Sequence, residues 1–77
     1  MQSKEGARIR QQFAKHLRTL RTQAGLTQFQ VASDAKISVQ YLQNLESKNP
    51  KNPSLETICG LAKALNMPSY RLLQFDK

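Results

Sequence analysis

The sequence predicts an all-α fold forming one small domain, and three observations carry that prediction. Apolar residues recur at three- and four-residue spacing, the period of a helix with one buried side. Residues suited to starting helices (Thr27, Ser38, Ser54) and to stopping them (Gly25, Asn66, Pro68) divide the chain into short segments. The stretch 28–47 reads as two very short helices packed at an angle around a tight turn.

In chain order, residues 1–6 lack apolar periodicity and are expected to form a flexible N-terminal arm. The remainder, 7–77, is expected to be the folded domain. Helix 1 should run from Ala7 to Gln23 or Ala24, burying Ile9, Phe13, Leu17, Leu20 and Ala24 and turning Arg8, Lys15 and Arg18 outward. Gly25 should end it in the left-handed conformation, which glycine adopts without steric penalty. His16, beside that basic surface, is expected to be solvated. Thr27 is a suitable N-cap for a second helix over 28–35, in which Ala32 offers a small side chain where two helices approach closely. Ser38 can cap a third helix reaching Ser47, with Leu42 and Leu45 on one side and Ile37 anchoring the turn before them. Val31, Ile37, Leu42 and Leu45 together provide the apolar contacts that a helix-turn-helix requires.

Pro50 and Pro53 end this pair and stiffen the connection to a fourth helix, capped by Ser54 with Glu56 near its positive end. Leu55, Ile58, Cys59, Leu61, Ala62 and Leu65 are assigned to its inner face, with Asn66 as a left-handed cap and Pro68 blocking continuation. A last short helix over 69–75 carries Tyr70, Leu72, Leu73 and Phe75, more apolar residues than one face needs. Part of that set is expected in the core, and the rest are candidates for a dimer contact.

Composition narrows the function. At 77 residues the chain is near the small end of what folds unaided. One cysteine, Cys59, forms no internal disulfide; it is assigned to the core and fits a reducing cytoplasm. With only His16 to join it, no metal site or cofactor is expected. No apolar run exceeds two residues, so neither a signal peptide nor a membrane span is expected. Twelve basic against five acidic residues give a net charge of +7 and a pI near 10.1, which favours a polyanionic partner. Residues 1–26 hold six basic side chains and one acid.

On helix 3, opposite Leu42 and Leu45, lie Gln40, Gln43, Asn44 and Ser47. A Gln or Asn amide pairs both N6 and N7 of adenine in a major groove, so this uncharged stripe suits base reading. The ordinary alternative is a solvated helix face. Combined with the basic charge, the stripe selects nucleic acid.

The residues Gly25-Leu-Thr-Gln28, Val31-Ala32, Tyr41-Leu42, Leu45-Glu46, Pro53-Ser-Leu-Glu56 and Leu61-Ala-Lys-Ala-Leu65 resemble the phage-repressor/Cro (Xre-type) helix-turn-helix family over roughly 9–75. That resemblance implies a compact five-helix, lambda-repressor-like DNA-binding domain, with helix 2 across the DNA backbone and helix 3 in the major groove. It implies a structural ion pair between Arg21 and Glu46, pinning helix 1 to helix 3. Two positions depart from the family pattern. Lys36 stands where the turn usually has glycine, and Lys48 near where another glycine is common.

The expected function is therefore a double-stranded DNA-binding transcriptional regulator, a repressor acting as a homodimer on a palindromic operator. Ser38, Val39, Gln40, Gln43 and Asn44 are expected to contact bases, and Thr27, Gln28, Tyr41, Ser47, Lys48, Asn49 and Lys51 to contact phosphates. Half-sites would lie about 34–36 Å apart. The location expected is cytoplasmic, in a bacterium or encoded by a phage. No nucleophile–base pair or phosphate loop points to an enzyme. A protein-interaction adaptor or antitoxin-type module is the competing reading, and an RNA binder is disfavoured by the presence of only three Phe and two Tyr.

Overall fold

The computed structural model describes residues 4–75, which form four α-helices followed by a 3₁₀ helix: α1 (Lys4–Gln23), α2 (Gln28–Ala35), α3 (Val39–Leu45), α4 (Leu55–Ala64) and the 3₁₀ segment Ser69–Leu73. The expected fifth α-helix is thus a 3₁₀ turn. Its bonds run from Arg71 N–H to the Pro68 carbonyl and from Gln74 N–H to the Arg71 carbonyl, at 3.0 and 3.3 Å. With about three residues per turn, positions three apart share a face. Tyr70 and Leu73 accordingly lie together, 63% and 52% exposed, while Leu72 is fully buried and Phe75, just past the turn, packs partly buried against the core.

α1 begins at Lys4, earlier than expected, so Lys4, Glu5 and Gly6 are helical and not part of an arm; residues 1–3 of that expected arm lie outside the described residues. Extending an existing helix fixes one residue per added hydrogen bond, so a polar extension needs no apolar stripe of its own. Glu5 in the first turn also suits the positive helix end.

Three helices terminate alike. Gly25, Lys36 and Asn66 have φ of 73°, 61° and 57°. In each case the next residue's N–H returns to a carbonyl five residues back: Leu26 to Arg21, Ile37 to Ala32, Met67 to Ala62, at 3.0–3.2 Å. Leu26, Ile37 and Met67 then pack against the core, so each reversal carries its own apolar anchor. The helix starts are closed just as locally. Thr27 Oγ1 accepts from Gln30 N–H while Gln30 Oε1 accepts from Thr27 N–H, a full capping box. Ser38 and Ser54 each accept the N–H three residues on, at 3.0 Å.

The core centres on Leu17, Val31, Leu42, Leu45, Leu61 and Leu72, all fully buried, joined by Phe13, Leu20, Ala32, Ile58, Ala62 and Leu65. α2 packs against both α3 and α4, and the 3₁₀ segment closes over α4 and α1. Gly60 permits the approach of α4 to α2, because a Cβ there would meet the Ala35 carbonyl at 3.2 Å.

Four residues assigned to the core are outside it. Ile9 is 45% exposed, lying a turn ahead of Phe13 on the rim of a small groove with Pro53, Leu73 and Phe75. Ala24 follows the end of α1 and is exposed in the reversal. Leu55 is the first residue of α4 and projects past its neighbours, 77% exposed. Cys59 is exposed, one step of about 100° off the stripe set by Ile58, Leu61 and Ala62. His16 departs in the other direction. Its Nε2 donates to the Arg71 carbonyl at 2.7 Å and its ring lies 5.7 Å from that of Phe75, so it ties α1 to the C-terminal turn and is not simply solvated.

Lys36 and Gly25 occupy the same backbone region with opposite suitability. A non-glycine residue there is strained by roughly 1–2 kcal/mol. Lys36→Gly is expected to raise stability by up to about 1 kcal/mol, since glycine's greater freedom in the unfolded chain offsets part of the relief. Gly25→Ala, with nothing within 4 Å of the added Cβ, is expected to lower it by about 1 kcal/mol through backbone strain alone. Urea unfolding of the two variants against the parent measures both signs.

Candidate nucleic-acid interface

α3 is seven residues long, too short to persist without its neighbours, and its orientation is imposed from beneath and from its end. Beneath, Leu42 and Leu45 are fully buried, and Val39 and Tyr41 pack half-buried against the same cluster. On the opposite side Gln40 and Gln43 are exposed, as is Ser38 at the cap. The two glutamine amides have no partner among the described residues.

At its end, Glu46 fixes the helix. Arg21 Nε and Nη2 donate to its two carboxylate oxygens at 2.8 and 3.0 Å, a planar fork-on-fork geometry. Gln28 Nε2 donates to the same carboxylate at 3.0 Å, and Arg21 Nη1 donates to the Leu26 carbonyl at 2.9 Å. The side chains of Arg21 and Glu46 are only 11% and 3% exposed. The last turn of α1, the start of α2 and the end of α3 thus meet at one charge pair. This geometry changes what Gln28 offers: its amide is engaged by Glu46, and the free donors at the head of α2 are the backbone N–H groups of Gln28 and Phe29, which have no partner among the described residues. Thr27 also serves the capping box, its hydroxyl oxygen accepting and its N–H donating, while the hydroxyl hydrogen takes no part in it.

Asn44 is also set differently from its two neighbours. Half-buried, it accepts the Lys51 N–H on Oδ1 at 2.7 Å and so pins the loop that follows α3. One lone pair of its amide oxygen is thereby committed to the loop. Ser47 Oγ donates to the Asn44 carbonyl at 2.6 Å, closing the helix end. Gln11 of α1 holds the same loop from the other side, Nε2 to the Lys48 carbonyl at 3.2 Å, and Pro50 is buried beneath it. Lys48, Asn49 and Lys51 remain exposed on the loop's outer side, next to α3. Gln11 had no signal in the sequence, being 37 residues from its partner. Gln30 did have one, the Thr-x-x-Gln spacing of a capping box.

Of the dimer candidates, Leu72 is fully buried and belongs to the monomer core, Phe75 is partly buried against that core, and Tyr70 and Leu73 are exposed. Among the described residues, no helix is long and apolar enough to cross a membrane and no three metal-ligating side chains gather.

A family profile described as helix-turn-helix matches residues 17–72. The HTH-type transcriptional regulator DdrOP3 of Deinococcus deserti is 42% identical over 60 residues, which is 78% of this chain; the chain spans 46% of that regulator's length. Among solved structures, the restriction-modification controller protein C.AhdI from Aeromonas hydrophila superposes with a TM-score of 0.77 at 33% identity, covering 82% of this chain and 94% of that one. The hypothetical transcription factor NHTF from Neisseria superposes with a TM-score of 0.78 at 28% identity, covering 87% of this chain and 76% of that one.

Removing one partner of a charge pair this buried leaves the other desolvated. Glu46→Ala is expected to destabilise the domain by about 3 kcal/mol. A double-mutant cycle with Arg21→Ala, followed by thermal unfolding, should give a coupling of about 1–3 kcal/mol. A coupling near zero would mean the pair does not hold the two helices together.

Proposed function

The chain belongs to the Xre/Cro-like helix-turn-helix family of DNA-binding transcriptional regulators, and on that premise we propose that it is a sequence-specific repressor binding a palindromic operator as a homodimer. The observation that carries this reading is the pair of unpartnered amides, Gln40 and Gln43, held outward on a helix whose other side is locked into the core. In a major groove, each such amide can satisfy adenine bidentately. Ser38 and Val39 stand at the leading end of α3, where a hydroxyl and a methyl group meet base edges and thymine methyls. Asn44, one lone pair of its oxygen already given to Lys51, offers chiefly its NH₂ to a base.

Phosphates would be held on both flanks. The open N–H groups at the head of α2 lie on one side, at a positive helix end. Lys48, Asn49 and Lys51, with Ser47 and the Tyr41 hydroxyl, lie on the other. Thr27 and Gln28 shape the first flank by bracing it, through the capping box and through Glu46. Exposed Tyr70 and Leu73 are the proposed self-complementary contact that places two copies of α3 about 34–36 Å apart. Occlusion of polymerase from the operator gives repression.

Selection from randomised duplexes tests this reading directly, because it reports preference, symmetry and half-site spacing together; recovery of no preferred sequence would overturn it. On the selected site, Gln43→Ala is expected to cost about 1–3 kcal/mol and to relax the preference at one base position per half-site. Lys51→Ala should instead weaken all sequences alike and flatten the salt dependence by about one phosphate contact per protomer. Anisotropy titrations on matched and single-substituted duplexes separate the two.

A further inference from the structure

α1 carries more positive charge than the proposed operator contact uses. Lys4, Arg8, Gln11, Lys15 and Arg18 repeat by four and three, so they fall within one stripe of the helix, away from buried Phe13 and Leu17, and all five are exposed. The stripe extends fourteen residues, or roughly 21 Å at the rise of an α-helix. Lys4, Arg8, Lys15 and Arg18 have no ion pair among the described residues. The stripe also meets the loop after α3. Lys15, Arg18 and Lys48 line one open groove of about 450 Å³, and Gln11, Lys48 and Lys51 line the next, of about 300 Å³. The acid bordering the first groove, Glu46, is neutralised by Arg21 and nearly buried. Gln11, bonded to the Lys48 carbonyl, joins the two surfaces.

We infer that this stripe is a second polyanion track, taking up the sugar–phosphate backbone of the duplex where it continues beyond the recognised half-site. The inference rests on the reading of α3 and its loop as a DNA surface. Two features favour duplex DNA as the occupant. A row of four cations, interrupted by neutral Gln11 and bordered on its inner edge only by the small side chains of Ala7 and Ala14, complements a rail carrying one negative charge per about 1.7 Å of axis. The track is also continuous with the loop lysines beside α3, so one uninterrupted backbone can follow both.

The test uses the full chain and two duplexes: one ending at the selected operator, the other lengthened at each end by about 10 bp, one helical turn of arbitrary sequence. The parent is expected to bind the longer duplex more tightly. A Lys15→Gln/Arg18→Gln variant should lose that gain, and its log–log salt slope on the long duplex should be shallower by up to about 2 per protomer. Its ranking of operator variants on the short duplex should be unchanged. Lys63→Gln/Arg71→Gln removes the same charge from α4 and the 3₁₀ turn and should keep the gain. A parent indifferent to the added length, or equal losses in both double variants, overturns the inference; the second outcome would mean net charge acts wherever it sits. Operator preference on the short duplex is read separately, so a failure of base reading and a failure of the track are distinguishable.

Discussion

One carboxylate governs the posture of the outward helix. Glu46 receives the guanidinium fork of Arg21 and the amide of Gln28, so three helices converge on a charge that is almost out of contact with water. A charge in that position is tolerated only while its hydrogen bonds persist, because each one lost leaves a desolvated group without a partner. Displacing the end of α3 therefore means opening all three contacts together. Leu42 and Leu45 hold the middle of the helix by burial, which is strong but without direction. Burial presses α3 down, and the charge pair fixes where its end lies.

A chain this small has little apolar surface to bury, and it relies on ending its elements locally. Three left-handed reversals and three side-chain N-caps satisfy most helix ends within a few residues of each end. Each reversal also packs the residue that follows it, partly buried, against the core, so Leu26, Ile37 and Met67 join termination to packing. α2 is thus closed at both ends by local contacts, whereas α3 is capped locally at its start and held at its end by Glu46. Lys36 is the exception in chemistry, a lysine in a conformation that suits glycine. It is held by the Ile37 N–H bond to Ala32 and by the packing of Ile37 against the core.

The polar side chains of the outer surface divide into braces and open groups. Gln11, Gln28, Gln30 and Asn44 each spend an amide on the protein's own backbone or on Glu46. Gln40 and Gln43 spend theirs on nothing within the described residues. Chemically identical groups thus do different work according to whether a backbone end lies within reach. The braces give the open groups a rigid frame, which limits the ordering entropy that binding would otherwise incur.

Local chemistry made much of this legible in advance. Helical periodicity located the elements from α1 to α4, and Thr27, Ser38, Ser54, Gly25 and Asn66 marked their ends, because capping and left-handed φ depend on neighbours a few residues away. The buried side of α3 followed from the spacing of Leu42 and Leu45 for the same reason. What periodicity does not contain is the extent of the neighbouring elements. Ile9 and Leu55 continue the apolar pattern and are still exposed, Ile9 only partly covered at the rim of its groove and Leu55 at the very start of α4. Leu72 and Phe75 went to the core because the C-terminal turn closes over α1 and α4, which spacing along the chain does not specify. Asn44 and Gln11 became loop anchors through contacts seven and 37 residues away in the chain. Residue type announced an amide at each of these places; only the folded arrangement of the loop against α1 and α3 decided which amides are consumed and which face outward.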